Sequence, residues 1–542
     1  EYIDAEMAGL FGFEPVPPEW IEFYDHPERP HTTDQPPLDV SGGGIPGGET
    51  EHWFLGQYWE ESYPYSVIET PPKWADYHGG TDLGMGISVE LYGRRLFYMG
   101  DTLGVDHDND DTTPRLQKWS TNDCDVSSGV RCDDMIVISH DPNPEDGIDV
   151  SPIFELDDNY QETRWKPLVI PGVHRDTSPH LSGSGAYWVD PSAEPKFTVP
   201  TGAVATTMVA EVTLSDGSPA SLVLPLVMVW YGTAINPLVL DDSNPKQRPT
   251  AWVGCSYDGI SFRACYQDQN GYVVPFSRDE SPYPAPAQYG YPSQYPGEPA
   301  RFVSVAAVDV DASDLDAVCN NNPSSPICDM DDDTKPGFAR GGLLLYGTGR
   351  PYRKSGIHLG FIKRTDIGKV YNGEPVVSYW TGSWWSSSPT LAQPLSHNPQ
   401  SQPPCDHYKS PNAIDTDTTD TEGCWHYLQG WQPERVFGEL SARLIRTPGQ
   451  LSSSRILLMN NSWSSTWVLY WWIPLSSPDH GDLYHANPNP HDTNTSGYGP
   501  YIIEAYSDKN YDGTGSVHVW HTVSVWGFGP YGSYTGEEVI PW

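Results

Sequence analysis

Four times along the chain an apolar strand runs into an aromatic-Gly-Thr stop or a close variant of it: 96–102 (LFYMGDT), 226–233 (LVMVWYGT), 343–348 (LLLYGT) and 456–462 (ILLMNNS). Each is preceded by one alternating segment and followed by one or two more. The first group reads DLGMGISVE (82–90), RLFYMGD (95–101), DDMIVIS (133–139) and KPLVI (166–170). Equivalent groups cover 202–266, 302–380 and 438–473, and the last segment adds YIIEAYS and SVHVWHTVSVWGF. Period-2 strands bounded by turns and repeated as four-strand units predict an all-β, five-bladed β-propeller. A β-sandwich or jelly roll is the competing architecture. Residues 1–75 read as an N-terminal arm wrapped on the core, and 76–542 as a single propeller domain with long loop insertions. Within the arm, the strand-like patch 51–58 (EHWFLGQY) is a candidate to complete the closing blade.

Composition agrees where it bears on this. With 53 Pro and 51 Gly, helices are interrupted and short strands favoured, and 21 Trp, 32 Tyr and 14 Phe supply far more buriable surface than a disordered chain carries. A formal charge of −42 excludes a nucleic-acid or anionic-membrane partner. No apolar run approaches the roughly 18 residues of a spanning helix.

Eight cysteines sit as near neighbours, Cys124 with Cys132, Cys255 with Cys265, Cys319 with Cys328 and Cys405 with Cys424. Even pairing without C-x-x-C predicts four local disulfides, hence a secreted or otherwise extracytoplasmic protein; eight buried thiols are the bland alternative. No basic-then-apolar leader stands at Glu1, so a mature N-terminus is expected.

The stretch 80–104 (GTDLGMGISVELYGRRLFYMGDTLG) resembles the opening of glycoside hydrolase family 183. Later pieces fall in that family's order: an acidic strand entry near Asp134, Tyr231-Gly232, Leu345-Tyr346-Gly347, Gly438-Glu439-Leu440-Ser441 and Tyr498-Gly499-Pro500-Tyr501. The resemblance implies an endo-D-arabinanase that cuts mycobacterial arabinan; a monomer acting on a polysaccharide, with no cofactor required for the chemistry, is the accompanying expectation.

The residues supply their own chemistry. Taking Gly93-Arg94 as the first hairpin's turn sets Asp101 opposite Gly86, four residues from Asp82, so both carboxylates belong to one face at the open end. Their separation is roughly 13 Å along an ideal strand, and a bulge at Gly100 would bring it toward the ~6.5–9.5 Å of inverting glycosidases. Asp101 is also the one acid among the equivalent strand ends, although Asp often just caps a turn. Glu439 begins its group as Asp82 begins the first, and is the third catalytic candidate; backbone-bonded Glu is the alternative.

Asp134, His174, His180, Trp384 and Trp385 are substrate-binding candidates: imidazoles and a carboxylate for hydroxyls, indoles for stacking. Surface histidine and packed tryptophan are the ordinary alternatives. The acidic runs 106–111, 329–333 and 415–420 offer hard oxygen ligands for a structural Ca²⁺, with Asp106, Asp108 and Asp110 as first choice; a solvated loop is the default for each. No G-x-S-x-G supports a serine triad. A lectin-like glycan-binding propeller, or a propeller hydrolase of L-arabinan, fructan or xylan, fits the same features.

Overall fold

The computed structural model describes residues 38–39, 52–57, 86–91, 93–103, 132–139, 151–152, 154–156, 162–165, 168, 170, 198–213, 218–233, 250–278, 301–349, 357–393, 395–397, 439–461, 467–488, 497–525 and 532–542. Within them the chain is all-β, with one α-helix, Ala312–Asn321. Five principal sheets follow one another in chain order.

Sheet 1 pairs Gly86–Leu91, Arg94–Leu103, Cys132–Ser139 and Ser151–Pro152. Sheet 2 contains Thr198–Thr213, Pro219–Thr233, Thr250–Ser256 and Arg263–Ala264. Sheet 3 runs Ser304–Val310, Gly342–Thr348, His358–Lys363, Ser378–Trp380 and Trp385–Ser386. Sheet 4 is Leu440–Ile445, Arg455–Asn461, Trp467–Pro474 and His480–Pro488, with Ser396–His397 parallel to the last. Sheet 5 joins both ends of the chain: Gly497–Ile502, Ser516–Val525 and Gly532–Pro541 are extended by His52–Gln57 and Leu38–Asp39.

The repeated apolar strand explains how the sheets stack. Gly342–Thr348 is buried along its whole length, as a continuous apolar run between two covered faces should be. Leu343 and Leu345 pack with Leu226, Met228 and Trp230 of sheet 2. Leu344 and Tyr346, on the other face, pack with Ile456, Leu458 and Trp471 of sheet 4. In the same way Leu457 and Met459 turn from sheet 3 toward Val517, Val519 and Ile540 of sheet 5. Each such side chain contributes roughly 1.5–3 kcal/mol on burial.

The first strand of each sheet touches the first strand of the next, and that of sheet 5 returns to sheet 1. Thr201 Oγ1 donates to Val303 O at 3.1 Å and Thr206 Oγ1 to Asp309 Oδ1 at 2.7 Å, so the first strands of sheets 2 and 3 advance in the same direction. Gly202 permits this approach, since a Cβ there would drive into the Val305 carbonyl. Sheet 5 is held on both sides: Ser88 Oγ donates to Ile502 O at 3.1 Å, and the Ile502 N–H donates to Ser441 Oγ at 2.8 Å.

Three expectations are corrected. Leu91 pairs with Arg94, so the first turn is 92–93, with Gly93 at φ +76°, and Met99 rather than Asp101 lies opposite Gly86. The fourth strand of sheet 1 is Ser151–Pro152, not 166–170; Leu168 and Ile170 are buried outside any strand, Ile170 against Gly254 of sheet 2. The acidic insert 311–340 holds the helix. Its N-cap Asp311 accepts from the Asp314 N–H (3.0 Å) while Asp314 accepts from the Asp311 N–H (3.1 Å), a reciprocal capping box.

Disulfides Cys255–Cys265 and Cys319–Cys328 form as paired in the sequence. The other two pairs rest on Cys124, Cys405 and Cys424, outside the described residues, and on Cys132, described only as strand backbone. Among the described residues no helix is long and apolar enough to cross a membrane.

Candidate functional site

Where the first strands converge they leave a narrow channel, to which every sheet contributes: Ser88, Gly202, Ala306, Ser441 and Tyr501 line it, with Glu504 beyond. Four of these five residues are small, which lets their strands approach one another closely. Because neighbouring strands alternate in direction, one end of every sheet collects the starts of its first and third strands and the end of its second. Among the described residues, the sequence-derived acids Glu439, Asp101 and Asp134 each belong to this strand-start end of their own sheet.

Glu439 immediately precedes the first strand of sheet 4 and is 1% exposed. It lies two residues before the channel-lining Ser441, about 7 Å along an extended strand. In sheet 1, Asp101 belongs to the second strand and Asp134 to the third. Met99 pairs with Met135 but Thr102 with Asp133, so 100 and 101 form a bulge against the single residue Asp134. The bulge lies against the third strand, and it sets two of the candidate acids side by side on the backbone. Nearby in sheet 4, Asn460 is fully buried and its Oδ1 accepts from the Trp471 indole N–H at 3.1 Å.

The far end is built differently, from carboxylates set against cations. Arg443 is 6% exposed; its Nε donates to Asp508 O (2.8 Å) and its Nη2 to Ser507 O (3.0 Å). Burial pushes the Arg443 guanidinium down, while Glu504, Glu90 and Asp508 oppose that. Burial likewise raises the Glu504 carboxyl, against the pull of Arg443 and Lys509. Lys509 meets Glu90 at 2.8 Å across the junction of sheets 5 and 1. Arg364 grips Asp309 at 2.9 Å and Thr207 Oγ1 at 2.6 Å, and Arg446 binds the helix residue Asp314 at 2.7 Å.

Of the remaining sequence-derived residues, Asp82, Asp106, Asp108, Asp110, His174 and His180 lie outside the described residues, as do the runs 106–111 and 415–420. In the run 329–333, Asp331 pairs with Arg340 at 2.6 Å and Asp332 accepts from the Thr334 N–H and hydroxyl. Among the described residues no cluster of three acidic, His or Cys side chains is placed to hold a metal. Trp384 and Trp385 sit at the outermost strand of sheet 3, beyond three other strands from the channel-lining one. Trp385 is half-buried, its indole N–H donating to Pro326 O at 2.7 Å; Trp384 is 51% exposed.

Sequence reasoning overlooked the channel itself. Its signal was a small residue in four of the five first strands, Ser88, Gly202, Ala306 and Ser441. It also missed Arg443 and Glu504, which nothing local distinguishes from surface charges.

No protein-family model matches this chain, and no curated protein matches it. Among solved structures it is similar to a candidate glycoside hydrolase from Bacteroides ovatus ATCC 8483, at 7% identity over 85% of this chain and 86% of that one, TM-score 0.28. It is also similar to a structure reported for the GH130 family of mannoside phosphorylases, which contains glycoside hydrolases that target β-1,2 mannosidic linkages in Candida mannan, at 8% identity over 90% and 94%, TM-score 0.29.

Proposed function

We propose that this chain is an extracytoplasmic glycoside hydrolase, a monomeric five-bladed β-propeller that cuts internal furanosidic bonds of a polysaccharide, with α-linked D-arabinofuranose the first substrate to test. The observation that carries the reading is that three acids fall at the same end of their sheets: Glu439 buried at a strand start, and Asp101 across the backbone from Asp134 at a bulge. The sequence resemblance around 80–104 supplies the sugar, and the two disulfides favour an oxidising compartment.

Hydrolysis of a glycosidic bond needs one carboxylic acid to protonate the departing oxygen and one carboxylate to take a proton from water or to attack the sugar carbon. Asp101, Asp82 and Glu439 are the groups assigned to that work. Asp134 would hold a substrate hydroxyl, or raise the acid's pKa by like-charge repulsion. A structural Ca²⁺ in the 106–111 run belongs to the same proposal.

Reducing-sugar release from mycobacterial arabinogalactan, plant arabinan, levan and xylan tests the reading. Release from arabinogalactan, lost in Glu439→Gln and Asp101→Asn, is the expected result. Release from another polymer alone replaces the sugar. Binding without release from any of the four replaces the enzyme with a lectin-like module.

A further inference from the structure

Trp384 stands apart among the described tryptophans. Trp230, Trp252, Trp380, Trp471, Trp472 and Trp520 are each at most 7% exposed, whereas Trp384 is 51% exposed. Leaving an indole in water forgoes burial of one of the largest apolar surfaces a side chain offers. Its backbone is nevertheless fixed. It ends the four-residue loop of the hairpin in which Trp380 pairs with Trp385. The Thr381 N–H and hydroxyl donate to Trp384 O at 3.0 and 2.8 Å, and the Trp384 N–H donates back to Thr381 Oγ1 at 3.2 Å.

The hairpin is braced from behind. Trp385 packs on Trp380 with centroids 5.3 Å apart and on Phe361 at 6.3 Å, and its N–H bonds Pro326 O in the loop closed by Cys319–Cys328. Around the exposed ring the loop is small and polar: Gly382 at φ +90° and Ser383 are exposed, and the Gln393 side chain lies beside Gly382.

We propose that Trp384 is the platform of a second carbohydrate site at the outer rim of sheet 3, taking a neutral glycan chain by stacking a sugar ring on the indole while Ser383 and Gln393 meet its hydroxyls. Only the choice of a glycan rests on the function proposed above. An aromatic ring on a pre-ordered backbone loses little entropy when a flat C–H face settles on it, and the polar flanks replace water at the hydroxyls. A chain of charge −42 disfavours a polyanion there. The outermost strand is four strand spacings from the channel-lining strand, about 19 Å. The site therefore holds polymer without touching the reacting bond. It serves long substrates and leaves short ones unaffected.

The test is retardation of the full chain in native gels containing arabinogalactan, arabinan, xylan or levan, at fixed ionic strength. Wild type is slowed by at least one neutral polymer, Trp384→Ala weakens that binding roughly tenfold, and Trp384→Phe restores part of it. Glu439→Gln stays retarded, because it leaves the rim intact. Equal retardation of wild type and Trp384→Ala on every polymer that binds, or no retardation of wild type by any of the four, overturns the proposal. Retardation lost in Trp384→Ala from a protein that cleaves none of the polymers upholds the rim site and removes the hydrolase reading, so the two fail separately.

Discussion

The two ends of the first-strand channel use the same residue types for different ends. At the far end, carboxylates are set against arginines and a lysine: Arg364 holds Asp309 of its own sheet and Thr207 of sheet 2, while Arg446 reaches Asp314, Lys509 reaches Glu90 and Arg443 faces Glu504 across sheet boundaries. These groups join sheet 3 to sheets 2 and 4, sheet 4 to sheet 5 and sheet 5 to sheet 1. At the strand-start end, Glu439, Asp101 and Asp134 come from strand ends and a bulge, the places where a sheet can re-aim a residue without breaking its ladder. The contrast separates the charge that holds the molecule together from the charge proposed to act on a bond.

The largest effect expected of that division is on turnover. Glu439→Gln or Asp101→Asn should lower hydrolysis about 10²–10⁴-fold, the usual cost of losing a general acid or base. Thermal midpoints should move little, since both changes keep the side-chain shape. Initial rates alongside melting curves check it. Wild-type rates in both variants on a cleaved substrate would shift the chemistry away from this end.

Next in size is the reverse result at the far end. Arg443→Met removes a buried cation facing Glu504 and leaves the Ser507 and Asp508 carbonyls without their donor. Leaving a buried acceptor without its charged donor costs about 1–3 kcal/mol. Denaturant unfolding should show that loss, while kcat of the folded fraction stays near wild type. A variant as stable as wild type would mean that the far end is not what closes sheets 4, 5 and 1.

How much of this was legible follows from which interactions are local. The apolar run ending in Tyr-Gly-Thr at 343–348 revealed a strand, and the burial of every residue in it explains why the run is continuously apolar. The patch 51–58 was recognisable as a strand, and its partner Gly532–Pro541 lies at the other end of the chain, where only the need to complete a last sheet pointed. The first turn lies one position earlier than Gly93 as its opening residue implies. Gly93 occupies the second position, where positive φ is also required in a two-residue hairpin.

The helix was hidden by composition. In an acidic insert, Asp311 and Asp314 look like solvated charge, yet their spacing is that of a capping box. Contacts between sheets were out of reach. The Tyr98 hydroxyl donates to Gly259 O at 2.8 Å and the Tyr346 hydroxyl to Pro478 O at 3.3 Å, the same device at two boundaries. Nothing in either short segment names its partner more than a hundred residues away. The candidate site was legible as residue types, and its grouping at one end required strand register.

The smallest effect belongs to a partly exposed pair at the far end. His518 Nδ1 lies 2.7 Å from Glu537 Oε1, and the His518 N–H donates to Asp508 Oδ2 at 2.7 Å. The hydrogen bond to Glu537 raises the imidazole pKa above its ordinary value, with Asp508 and Asp512 adding to it. A histidine whose pKa is higher folded than unfolded binds its proton more tightly in the native state. Its contribution is complete below the unfolded value, about 6.5, and is lost as pH rises through the raised folded value. Melting midpoints of wild type and His518→Gln should therefore differ most near pH 5.5 and converge in mildly alkaline buffer. Because the side chain is half in solvent, added salt should shrink the difference. A gap that widened with pH would mean that His518 is held neutral, and that the far end draws no stability from this charge.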